Sequence, residues 1–376
     1  MGPVSVPTAG RRVVGGPRRA YLDNLKVTMV AGVITGHVVI TYADIGSWAY
    51  REPSGNDAFL IPASLFVALG SLFAMGLFFL IAGLLTPRAL GRRGARGFLR
   101  DRSLRLGLPF LVFLLLVYPV VEWMGAGRRG HSLVWYLRSQ LDAWDPGPLW
   151  FVLALLVFSV GYTSWRTARP AGRTPRPLRP WVLVGLAGVI AVTTFVVRLR
   201  FPVNSRQVFE LHVWQWPQCI GLFVLGIACA ENGWLDPVPD RLLRPAGITA
   251  LVGIGSVAAG FAISHDAFDP FAGGLSWQAA LVAACEGVIA VSLSVWLLGY
   301  FQRRHDHSRP LASAMGRAAF GAYVVQAPVV VGVALLASPL PAAPELKALV
   351  VAPAAVAGSF ALARVLTRVP GINRVL

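Results

Sequence analysis

The chain has 376 residues, of which 56% are hydrophobic and only 14% charged, with a mean hydropathy of +0.63 and a formal net charge of +17. Soluble domains carry roughly 25% charged residues, so this composition excludes a large soluble core and belongs to a polytopic membrane protein. The arginines fall in short blocks between apolar runs, where they act as topology signals beside anionic headgroups, and this argues against nucleic acid as a partner.

Residues 1–20 are rich in Gly, Pro and Arg and lack the apolar core and cleavage site of a signal peptide, so they read as a disordered cytoplasmic tail. Apolar runs close to the length of about 20 residues that a bilayer demands then recur at 22–42, 59–85, 106–126, 149–165, 181–198, 214–231, 246–264, 277–300, 318–337 and 346–366. They predict an all-α, multi-pass transmembrane bundle of about ten helices, a membrane domain over 21–368 and a short cytoplasmic tail over 369–376. An even count puts both termini on one side of the membrane. The N-terminal stretch, alternate connections such as the one from Arg88 to Arg105, and the C-terminal tail hold about three times as many cations as the opposite connections. Both termini are therefore expected in the cytoplasm, with the protein in the cell (inner) membrane among its lipids. The Pro- and Arg-rich connection 166–180 reads as a disordered cytoplasmic linker.

The first run carries Lys26 at its start and a single imidazole, His37, deep inside. If the run is helical, the step between them turns about 1100°, which leaves both on one face and roughly 16 Å apart along the axis. Hydrocarbon does not tolerate a lone imidazole, so His37 is expected to face a protein interior or a wet cavity; the competing reading is a packing histidine bonded to a neighbouring carbonyl. Before the third run, Arg102 and Arg105 stand three apart with Arg96 and Arg100 nearby, a pattern suited to phosphate as well as to topology. Further along, Glu286 interrupts the eighth run, Gln326 the ninth, and His212 opens the sixth. A mid-span carboxylate needs a partner or a proton, and His37 and Lys26 are the partners expected for Glu286.

Cys219, Cys229 and Cys285 form neither a CxxC pair nor an even disulfide set, and no paired-His motif is present, so no metal is expected. His305 and His307 lie in a basic connection, and His131 and His265 in outer loops. The one good general base is thus His37, which narrows the chemistry to proton abstraction from a group such as a hydroxyl.

These features resemble the membrane-bound acyltransferase 3 family. The stretch from Leu22 to His37, with a cation followed by ten other residues and then the histidine, resembles its opening. FFLIAG from Phe78 to Gly83, RSLRLGLP from Arg102 to Pro109, GPLWF from Gly147 to Phe151 and FGAYVVQAP from Phe320 to Pro328 resemble its later motifs, in order. Ala82 stands where a serine is usual and Gln326 where a histidine is frequent, so neither is given a catalytic role; Lys26 in place of arginine keeps the charge without the bidentate fork. The loop order also resembles the branch that modifies periplasmic glucans, in which a fused hydrolase-like domain is absent.

The resemblance implies transfer of an acyl group from cytoplasmic acyl-CoA to a hydroxyl of an extracytoplasmic carbohydrate or glycolipid. It assigns His37 as general base or acyl relay and Lys26, Arg102 and Arg105 to the coenzyme phosphates. Asp23, Glu286 and Trp150 are expected to support these groups. A reading from another class is a proton-coupled transporter or lipid flippase that uses His37 and Glu286 as a relay.

Overall fold

The structure, a computed structural model, describes residues 19–375 apart from 44, 128–129, 170–174, 206, 265–268, 308, 373–374 and the side chain of 208. The expected tail 1–20, save its last two residues, lies outside the described residues, as do His265 and the middle of the 166–180 connection; the tail 369–376 is described only in part.

The described chain is helical, with no strand. The helices are α1 (Ala20–Ala43), α2 (Asp57–Arg102), α3 (Leu108–Val112), α4 (Tyr118–Ala126), α5 (Leu133–Ala143), α6 (Trp150–Ala168), α7 (Pro180–Arg200), α8 (Trp216–Asn232), α9 (Asp240–Ser264), α10 (Asp269–Ala272), α11 (Trp277–Arg304), α12 (Pro310–Ala337) and α13 (Pro344–Leu366). Among the described residues, nine helical stretches are long and apolar enough to cross a membrane. The longest, Asp57–Ala126, joins two of the ten predicted runs. Gly94 divides them: its φ of 67° with ψ of 171° is a conformation that side chains with a Cβ avoid. The break also lets Arg93 meet Asp101 at 3.3 Å, eight residues on.

Two π turns in this stretch, Ser103–Gly107 and Phe113–Val117, have a proline reason. Pro109 and Pro119 cannot donate to the helix ladder. The preceding residues, Leu108 and Tyr118, donate five residues back to Ser103 and Phe113, so each turn widens just before its proline.

At the centre is α1, packed against α2, α11, α12 and α13. Ile34, Val38 and Tyr42 on its inner side are fully buried. Outward residues such as Leu349 in α13 and Val184 in α7, both 72% exposed, are suited to lipid and not to water. α2 and α8 touch backbone to backbone. A Cβ on Gly83 would lie 2.3 Å from the Phe223 carbonyl oxygen, and one on Gly226 would lie 2.3 Å from that of Leu80. Small residues at such crossings are what membrane helices use to approach closely.

Residues 45–56, between α1 and α2, form a strap across one end of the bundle. Glu52 and Ser54 donate backbone N–H groups to the carbonyls of Thr41 and Tyr42 at 2.9 and 2.8 Å. Its side chains reach α13: Lys347 donates to Glu52 at 2.5 Å, and Ser54 and Asn56 donate to Glu345 at 2.7 and 3.1 Å. The strap also presses on α4, where a Cβ on Gly125 would lie 2.1 Å from the Ala49 carbonyl oxygen.

Candidate active site

His37 sits two turns before the end of α1, half-buried, with its backbone carbonyl accepting from the Thr41 hydroxyl at 3.0 Å. Its ring is held from two directions. The indole of Trp48, carried by the strap, stacks on it with centroids 4.4 Å apart and planes 19° apart. Its Nδ1 lies 3.0 Å from Oε1 of Gln326, on α12, which is fully buried. The imidazole therefore faces a protein interior, as the cost of placing it in lipid requires.

α12 is fixed beside α1 by its own aromatic anchor. Tyr323, one turn before Gln326, donates its hydroxyl to the Pro148 carbonyl and packs against Phe78 and Phe151, with ring centroids 6.4 and 5.6 Å away. Phe78, Phe151 and Tyr323 come from three of the motifs singled out in the sequence, and packing brings them together next to the turn that carries Gln326. Pro328 follows two residues later and withholds one backbone donor from that turn.

The other predicted residues are distributed as follows. Lys26 forms an ion pair at 2.7 Å with Asp23, which is buried against Gly316 of α12. Arg102 lies over the Phe98 ring at 5.3 Å, and Arg105, exposed, pairs with Asp101 at 3.1 Å. The arginine cluster is thus tempered by a carboxylate, Asp101, that holds Arg93 as well. Arg105 remains open to solvent on one side.

The expected pairing of Glu286 with His37 or Lys26 is corrected. Glu286, fully buried in α11, hydrogen-bonds and pairs with Arg198 from the last turn of α7. α7 packs along α11, and Arg198, only 3% exposed, is turned inward, so the cation that closes the apolar run 181–198 is a buried counter-charge. Its guanidinium also lies over the Trp214 ring at 5.5 Å. A direct His37–Glu286 relay has no footing in this arrangement.

Trp150, buried, stacks at a tilt on His212 with centroids 5.1 Å apart, and Trp214 covers His212 at 5.7 Å. Burial between these rings pulls the His212 imidazole down to about 4 from its ordinary 6.5. Trp150 therefore supports His212, outside the spans, and the structure records no bond from it to His37.

Sequence reasoning missed Trp48, because a loop tryptophan at a membrane boundary needs no special explanation. It noted Gln326 but had no means of placing it against His37, 289 residues away. Among the described residues no group of three or more His, Cys, Asp or Glu side chains is arranged to hold a metal ion.

The chain is similar to glucans biosynthesis protein C of Salmonella paratyphi B and of Salmonella dublin, each 25% identical over 57% of this chain and 58% of the relative. It is 26% identical to the Salmonella paratyphi A protein of that name, with the same coverage. The match spans less than two thirds of the length of these relatives. No solved structure matches the chain significantly. A family model described as an acyltransferase domain matches residues 19–368, which takes in every long helix described above. With that model spanning nearly its whole length, this multi-pass membrane protein belongs to the acyltransferase 3 family.

Proposed function

We propose that this protein moves a short acyl group, such as acetyl, from acyl-CoA on the arginine-rich cytoplasmic side to a hydroxyl of a glycan or glycolipid on the opposite side. The observation that carries the reading is the imidazole of α1, half-buried and held by Trp48 and Gln326. In this scheme His37 takes the acceptor hydroxyl proton, the oxygen attacks the thioester carbonyl, and the C–S bond breaks. The departing CoA thiolate recovers the proton, and the imidazole is restored. Lys26, Arg102 and Arg105 serve the coenzyme phosphates, with Arg105 the most open of the three. Membership of an acyltransferase family supports the reaction class, and the glucan named by the relatives supports a carbohydrate acceptor. The inner membrane is the proposed location because the donor is cytoplasmic.

Purified protein with labelled acetyl-CoA tests the proposal. Wild type is expected to show donor-dependent transfer or slow hydrolysis, and His37→Ala to lose about 10²–10⁴-fold. Arg102→Ala is expected to raise KM for the donor. Folded wild-type protein that is inert toward several short acyl donors overturns the reading.

A further inference from the structure

The two contacts on the His37 ring say more than that it is held. Oε1 of Gln326 faces Nδ1 at 3.0 Å. That oxygen only accepts. A neutral imidazole carries one N–H, and an oxygen lone pair brought against its bare nitrogen would repel. The oxygen facing Nδ1 therefore argues for a proton on that nitrogen. The Trp48 indole removes the remaining freedom, since rotation of the imidazole out of its present plane would break the stack.

We infer that Gln326 is the positioning residue of His37: it holds the imidazole in the Nδ1-protonated tautomer, so that Nε2 presents its lone pair to the acceptor hydroxyl. This rests on the general-base reading above and assigns the working atom within it. Gln326 touches no reacting atom in this scheme and acts only through the ring. An amide suits the role because it accepts a hydrogen bond without adding a charge to a low-dielectric site. Gln326 is fully buried, and the bond its amide makes is to the His37 ring. That distinguishes it from the neighbouring Tyr323, whose hydroxyl bridges α12 to the Pro148 carbonyl.

The tautomer can be read without turnover, from ¹⁵N NMR of the full-length protein labelled at histidine. The signals missing from His37→Ala belong to His37. Wild type is expected to give a pyrrole-type Nδ1 and a pyridine-type Nε2, whereas Gln326→Met, of similar volume but with no strong acceptor, is expected to give a mixture. In the acyl-transfer assay Gln326→Met should lose about 10²-fold in kcat, with KM for the donor within about twofold. Gln326→His, which again offers an acceptor to Nδ1, should recover most of the loss; a purely structural role predicts no such rescue and a lower yield of folded protein. A wild-type ring protonated at Nε2, or a folded Gln326→Met with unchanged kcat, overturns the inference. If the wild-type ring has the expected tautomer yet no acyl donor is consumed, the general-base reading fails and the assignment of Gln326 stands. Should Gln326→Met not fold, the wild-type spectrum decides alone.

Discussion

The Lys347 ammonium lies 2.5 Å from a Glu52 carboxylate oxygen and 2.9 Å from the Ser338 carbonyl, and this pair ties α13 to the strap that places Trp48 on His37. Lys347 is almost completely buried, so removing it disturbs a buried pair and not a surface one. Lys347→Met leaves Glu52 without its cation and is expected to cost roughly 3 kcal/mol, read as a lower apparent melting midpoint in detergent at one fixed scan rate. Transfer activity should fall with it as Trp48 loosens. Lys347→Met combined with Glu52→Gln should recover most of the lost stability, and additive losses would show that the two residues do not act as a pair.

Arg198 and Glu286 make a second, deeper pair, and its two single variants should behave alike. Arg198→Met or Glu286→Leu alone strands a buried charge, at a cost of about 3–5 kcal/mol, while the double variant should approach wild-type stability. Per folded molecule, the double variant should retain acyl transfer, because the pair joins α7 to α11 and not to the His37 ring. A double variant that is stable but inactive would restore a role for Glu286 in the chemistry.

Gly83 and Gly226 set how closely α2 and α8 can approach. Gly83→Ala places a methyl group 2.3 Å from a backbone oxygen, which cannot swing away as a side chain can, and should destabilise by about 1–3 kcal/mol. Ala82→Ser, next to it and only partly buried, should be close to neutral. Equal melting midpoints for Gly83→Ala and wild type would show that the crossing is looser than described.

His212 supplies a pH dependence outside the spans. Its folded value of about 4 lies below the ordinary 6.5, so between these values the unfolded chain binds a proton that the folded protein refuses. Its contribution to stability is whole above about pH 6.5 and declines as pH falls toward 4. The apparent midpoint should therefore drop less steeply over this window in His212→Gln than in wild type. Parallel profiles would assign the acid loss to other groups.

The spans were legible because a bilayer allows few alternatives to about 20 apolar residues in a row. The π turns were not legible, since they arise from Pro109 and Pro119 acting on local hydrogen bonding within an apolar run that reads the same either way. His37 stood out for the cost of its ring in hydrocarbon, yet its two neighbours could not be placed beside it. Trp48 comes from a loop with no periodicity, and Gln326 approaches only through helix packing. Arg198 illustrates the same limit from the other side. An arginine that closes an apolar run has the same appearance whether it marks a membrane face or neutralises a carboxylate one helix away, and only the packing of α7 on α11 separates the two.

The order in which the ribosome delivers these residues matters. α1 is made first, whereas the amide beside its imidazole and the ammonium that braces the strap belong to α12 and α13, the last long helices to emerge. A chain stalled part-way through insertion has the imidazole without either brace. Both braces are therefore in place only once the final hairpin has docked.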